Sequence, residues 1–275
     1  MENKFEKIET PAFNFKEHST VQFGKLVYAT SLWETKVTKI ENLLSETKAV
    51  LTTELASANR IARWHSACAY RDRAFYIIGG FCNNALQTGY RFLFGNGPLC
   101  TKIVQKFDLT SNEFEDAPDL NEARNSPGSF EIDGRIYAVG GADGTTTRML
   151  ASIEYLKVLN GATAWEIFTL PDMTSRYAPM VCPIDKRQFL IAGGEDVHGL
   201  IRDAMVVAID DVFPNGHKET MISNMRFKDL RFKTEGRAIN MLPLLPGQVI
   251  GIANQGSSVV KYDNLHKKIT MIHEF

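Results

Sequence analysis

Four cysteines in 275 residues (Cys68, Cys82, Cys100 and Cys182) fall at no CxxC spacing, which excludes a zinc knuckle and a thioredoxin-type redox pair. No apolar run approaches the roughly 20 residues that a membrane-spanning helix needs. The first residues, MENKFEKIETPAF, alternate charge and carry no apolar core, so no secretory signal is expected there. A formal net charge of −1 gives no global attraction to nucleic acid or to an anionic membrane. Catalytic signatures are missing as well: there is no HExxH, no nucleophile elbow and no phosphate-binding loop. Gly141–Gly144, GADG, follows a strand and reads as a turn. The six histidines (His18, His65, His198, His217, His266 and His273) stand singly, without metal-ligand spacing. These absences point to a cytoplasmic chain with reduced thiols, no catalytic residues, no metal and no cofactor.

What is present is repetition. Ile132–Gly141 reads IDGRIYAVGG, a short apolar strand that enters through a turn and ends on two glycines. Tyr70–Gly80, YRDRAFYIIGG, and Ile184–Gly194, IDKRQFLIAGG, repeat it, and Gln22–Ser31 and Leu245–Asn254 are weaker copies. Anchored on the first glycine or its replacement, the copies fall at 30, 79, 140, 193 and 253. Their spacing of 49 to 61 residues suits a four-stranded blade with loops of variable length. The pairs Gly79-Gly80, Gly140-Gly141 and Gly193-Gly194 become Thr30-Ser31 and Ala253-Asn254 in the outer copies. Small residues at this point suggest a packing constraint, where the backbone turns with φ > 0 beside a neighbouring unit.

Strand-length segments of high β propensity between turn residues predict an all-β domain over 1–275, with units at about 10–58, 59–120, 121–172, 173–229 and 230–275. Residues 4–9 form an extra strand outside the five units, available to close the last one. Residues 35–57 are ambiguous. Val37, Ile40, Leu44, Leu51 and Leu55 also fit helical spacing, while the threonines and the register of the other units favour strands.

A Gly-Gly after an apolar strand, then an aromatic beside an acid, then a spaced aromatic, resembles the kelch repeat. Unit two carries Gly79-Gly80, Phe107-Asp108 and Phe114, and unit three carries Gly140-Gly141, Glu154-Tyr155 and Trp165. Unit four keeps Gly193-Gly194 and Asp210, unit five keeps Tyr262-Asp263, and unit one keeps only Ile40-Glu41. The resemblance is strong over 60–195 and weak outside it. It implies a β-propeller of about five blades, the alternatives being six blades or an incomplete ring.

A second periodicity accompanies the glycines. Arg63, Arg124, Arg176 and Arg237 precede their anchors by 16, 16, 17 and 16 residues. Each lies between the outer strand of one unit and the innermost strand of the next. Two readings stand side by side: bonds to backbone carbonyls of the repeat, or a ring of guanidiniums offered to an acidic ligand. The flanking Trp64 and Tyr177 suit either an interface anchor or core packing. The insertion Phe81–Cys100, with Tyr90, Phe92 and Phe94, either docks a partner or folds back over its own blade. A disulfide between Cys82 and Cys100 would close it, although nothing signals an oxidising compartment. His65 occupies a position that kelch repeats often fill with histidine, which favours packing.

The resemblance implies a monomeric protein-interaction module whose partner is a peptide or protein, with an acidic segment as one candidate. One alternative is an enzyme or binding protein for an acidic sugar, although no sialidase-type box occurs. Another is a ubiquitin-ligase substrate receptor, which would need a ligase-linking domain beyond these residues.

Overall fold

The structure is a computed structural model that describes residues 18–23, 26–31, 36–41, 51–57, 65–71, 73–82, 99–143, 148–158, 163–201, 204–209, 217–221, 241–245, 248–253, 258–263, 265–266 and 268–274. The first sheet comprises β1 (His18–Phe23), β2 (Leu26–Ser31), β3 (Lys36–Glu41) and β4 (Leu51–Ser57). The second has β5 (Ser66–Tyr70) and β6 (Ala74–Ile78), a small ribbon of β7 (Phe81–Cys82) and β8 (Leu99–Cys100), then β9 (Val104–Asp108) and β10 (Glu113–Ala117). The third comprises β11 (Gly128–Ile132), β12 (Arg135–Val139), β13 (Ser152–Lys157) and β14 (Glu166–Thr169). The fourth has β15 (Met180–Pro183) and β16 (Gln188–Ala192), a ribbon of β17 (Glu195–Asp196) and β18 (Gly199–Leu200), then β19 (Ala204–Ile209) and β20 (His217–Met221). The fifth comprises β21 (Met241–Leu245), β22 (Gln248–Ala253), β23 (Ser258–Asp263) and β24 (Lys268–Glu274).

Each sheet is therefore a four-stranded antiparallel meander, interrupted only by the ribbons. Its first strand lies against the first strand of the next sheet: β1 on β5, β5 on β11, β11 on β15 and β15 on β21. First strands are innermost and fourth strands outermost, which is a propeller-type fold. Within the ambiguous stretch, 36–41 and 51–57 are the strands β3 and β4, where Val37 and Ile40 are buried as β3 pairs with β2 and packing overrides helix propensity, while 42–50 lie outside the described residues.

Among the described residues, period-two alternation buries both faces of the second and third sheets, and each of three seams is built from facing positions of adjacent units. Val21, Tyr28 and Val37 of unit one meet Ala67, Phe75, Ile77 and Phe107 of unit two. Cys68, Tyr76, Ile78 and Val104 meet Ile136, Ala138, Leu156 and Trp165 of unit three. Phe130, Tyr137, Val139 and Tyr155 meet Val181, Phe189, Ile191 and Met205 of unit four. Phe130 stacks on Tyr137 at 4.9 Å and lies 4.8 Å from Phe189, so one aromatic column ties the two sheets.

Strand alternation also sorts the loops. Connections from second to third strands, and from each outermost strand to the next innermost one, leave on one face. The remaining hairpins leave on the other. The Gly-Gly pairs and the described arginines Arg124 and Arg176 therefore belong to a single face.

Candidate functional site

On that face, Gly79-Gly80 and Gly140-Gly141 are each held by the arginine of the following unit. Gly79 and Gly140 have φ of 65° and 61°, in the left-handed region. A Cβ on Gly140 would stand 2.5 Å from the Arg176 carbonyl oxygen, and one on Gly79 would overlap that of Arg124. The close approach is used: the Gly80 N–H donates to the Arg124 carbonyl at 2.8 Å, and the Gly141 N–H to that of Arg176 at 2.9 Å. Glycine is required both for the backbone angle and for the space.

The arginine side chains turn back to their own units. Arg124 and Arg176 are both 0% exposed. Arg124 Nη1 donates to the Gly140 carbonyl at 2.7 Å and Arg176 Nη1 to that of Gly193 at 3.2 Å. Each arginine thus joins two glycine pairs, one through its backbone and one through its guanidinium. At these two positions no guanidinium is presented to solvent, and the backbone-carbonyl reading describes both. Arg63, Trp64 and Arg237 lie outside the described residues, as do Tyr90, Phe92 and Phe94.

In unit three the charge is met by carboxylates. Arg124 Nη2 lies 2.6 Å from Glu154 Oε1, itself 0% exposed, and 3.5 Å from Glu122 Oε2. Glu154 also accepts the Asn121 backbone N–H at 2.5 Å, the Asn121 side-chain amide at 2.9 Å and the Glu122 N–H at 3.1 Å. Trp165 pins the start of the same loop by donating Nε1–H to the Pro118 carbonyl at 2.7 Å. The strand register corrects one sequence alignment. Ile77 pairs with Gln105, Ala138 with Glu154 and Ile191 with Met205, so Glu154 occupies the Gln105 position and not that of the aromatic–acid pair. In unit four the neutral oxygens of Thr174 take part instead: its carbonyl accepts Arg176 Nε–H at 3.2 Å and its hydroxyl Nη2–H at 3.0 Å.

The residue after each arginine bridges to the residue after its own glycine pair. Asn125 and Ala142 exchange two backbone bonds, and so do Tyr177 and Glu195. The next residues, Ser126 and Ala178, take φ of 47° and 48°, although prolines follow both. That geometry costs about 1–3 kcal/mol per residue. It turns the chain into the innermost strand and allows the Ala178 N–H to donate to the Ser126 carbonyl at 3.1 Å, unit to unit.

Side chains at this mouth differ between units. Asn125, 2% exposed, donates its amide to the Ala142 carbonyl at 2.9 Å, and its Oδ1 is buried without a hydrogen-bond partner. Tyr177 is half-buried and its hydroxyl meets Ser126 Oγ at 3.0 Å. Burial raises the Tyr177 hydroxyl above its ordinary pKa, the Ser126 bond lowers it, and the neighbouring Glu195 and Cys100 raise it further.

Among the described residues Cys68, Cys100 and Cys182 are free thiols. Cys100 donates to the Ala142 carbonyl at 3.3 Å, and register sets it opposite Phe81 while Cys82 is opposite Leu99. The two cysteines are therefore not cross-strand partners. Burial pushes Cys100 and Cys182 up to about 12 and raises Cys68 further, so none is poised as a thiolate. Among the described residues no group of three or more His, Cys, Asp or Glu is placed to hold a metal ion. No described helix is long and apolar enough to cross a membrane.

The fold is similar to the solved structure of YjhT, with a TM-score of 0.68 and 11% identity over 96% of this chain and 85% of that one. YjhT is one of 586 solved chains that match, and the likeness is to a widely shared architecture. No protein-family model matches the chain, and no curated protein does.

Proposed function

We propose that the chain is a non-catalytic, kelch-type interaction module that binds a partner peptide or protein through the face carrying the Gly-Gly pairs. One observation carries the reading: three consecutive units each send the chain out after Gly-Gly on that same face. Unit two does so through β7 and β8, unit three through the Ala142–Met149 bridge, and unit four through β17 and β18. The two glycine–arginine junctions beneath them are buried and hydrogen-bonded. Variable loops on a rigid frame are how such folds carry recognition. The apolar tip Val197, 67% exposed, belongs to the unit-four ribbon.

The kelch assignment rests on the repeated Gly-Gly strands together with the propeller-type fold. The raised thiols argue against a cysteine nucleophile. Free thiols suit a reducing, cytoplasmic setting, and a monomeric propeller is the simplest assembly. Arg124 and Arg176, the described members of the arginine series, are buried and engaged and offer no guanidinium to an acidic sugar.

The test is affinity capture followed by mass spectrometry, comparing wild type with two folded variants. Val197→Asp alters the proposed face, and Leu265→Asp alters the β23–β24 turn of the opposite face, where Leu265 is 86% exposed. Partners lost with Val197→Asp and kept with Leu265→Asp are expected. The reverse pattern moves binding to the other face, and capture of nothing by wild type overturns the reading.

A further inference from the structure

The residue after the glycine pair and the residue after the arginine are bridge partners exchanging two backbone bonds, so their side chains stand on the same side. In unit three this pair is Ala142 and Asn125, and the Asn125 amide turns inward to the Ala142 carbonyl. In unit four it is Glu195 and Tyr177. Glu195 is half-buried, and among the described residues no hydrogen bond or ion pair engages its carboxylate. Tyr177 brings a hydroxyl, shared with Ser126 Oγ, and the face of its ring. Asn125, which precedes Ser126 in the chain, is 2% exposed and its amide oxygen has no hydrogen-bond partner. Neither described arginine of the frame bonds to the Glu195 carboxylate: Arg124 pairs with Glu154, and Arg176 donates to Gly193 and Thr174. Arg148, the exposed cation of the neighbouring loop, lies 3.6 Å from Glu122.

We propose that Glu195 and Tyr177 form a subsite for a protonated primary amine, such as a lysine side chain of the partner. The carboxylate supplies the charge-assisted bond, the tyrosine hydroxyl a second acceptor, and its ring a cation–π surface. A partly desolvated carboxylate without a partner gains more from an ammonium than a fully hydrated one would. The inference rests on the reading of this face as a recognition surface and gives its partner a basic contact in place of the acidic one the arginine ring suggested.

The probe is the peptide Ac-Gly-Gly-Lys-Gly-Gly-amide, titrated into the full chain and followed by NMR, with a norleucine peptide as the uncharged control. Wild type is expected to bind the lysine peptide in the millimolar range and the norleucine peptide at least tenfold more weakly. Glu195→Gln is expected to lose at least fivefold in affinity with an unchanged melting temperature, and Tyr177→Phe about twofold. Equal binding of both peptides, equal binding by Glu195→Gln, or no binding by wild type overturns the subsite. The outcome separates from the function test: partners captured equally by wild type and Glu195→Gln would remove the amine subsite while leaving the interaction module intact.

Discussion

Units three and four place an arginine in the same hole, and they satisfy its N–H groups differently. Both guanidiniums reach the carbonyl of their own first glycine, and both backbone carbonyls receive the N–H of the second glycine of the preceding pair. Around Arg124, Glu154 completes a buried ion pair that also gathers the 121–122 backbone. Around Arg176, the Thr174 carbonyl accepts from Nε and its hydroxyl from Nη2, and the position equivalent to Glu154 is the core residue Met205. The shared half of the junction is geometric and demands glycine and arginine. The variable half is electrostatic and accepts several solutions. What repeats in this family of units is the steric contact.

The contrast is broken most sharply by substituting the equivalent positions. Glu154→Leu leaves Arg124 buried without its anion, and about 3–5 kcal/mol of unfolding free energy should be lost. Met205→Leu at the same register conserves volume and should cost under about 1.5 kcal/mol. Chemical denaturation of both variants reads the difference; equal losses would show that Glu154 adds nothing specific. Next in size, Gly140→Val strains a left-handed residue and pushes a side chain into the Arg176 carbonyl, for a loss of about 3 kcal/mol. A near-wild-type midpoint would refute the geometric half of the comparison. Thr174→Val removes one hydroxyl acceptor from Arg176 and should cost about 1 kcal/mol in the same assay.

The smallest effect concerns the far face. The Thr110 and Ser111 backbone N–H groups hold the Asp108 carboxyl below its ordinary value, with Lys106 adding to them. Its folded pKa is depressed, so its contribution is present above the unfolded value and fades as pH falls through the folded one. Asp108→Asn should be slightly less stable than wild type near neutrality and converge with it as pH falls below the ordinary carboxylate range, which flattens stability against pH there. Thermal melts across that range check the slope.

Much of the frame is legible in the sequence because it is local. Glycine pairs after apolar strands mark the sharp turn, and the arginines recur at near-constant distance because the junction has fixed dimensions. Phe107-Asp108 and Tyr262-Asp263 hold the same place, each acid accepting two backbone N–H groups in the turn that follows. Glu154 was not legible. It stands beside Tyr155 and imitates the aromatic–acid pair in composition, and only strand register sets it opposite Ala138 and within reach of Arg124. The solvent-facing arginine ring failed at Arg124 and Arg176 for a related reason: spacing fixes where a side chain starts, and burial depends on the neighbouring unit. Tyr177 was singled out from its place beside Arg176, whereas its partner Glu195 carries no sequence signal beyond following Gly194.

The insertion between Phe81 and Cys100 departs and returns within a few bonds of the junction. Phe81 faces Cys100, the Thr101 N–H donates to the Gly80 carbonyl at 2.9 Å, and the Arg124 N–H reaches the Thr101 carbonyl at 3.3 Å. The seam is thus fastened before the chain leaves and again as soon as it comes back. A loop anchored this way can be lengthened, shortened or exchanged without shifting the blades, which makes it a natural place to graft a foreign sequence.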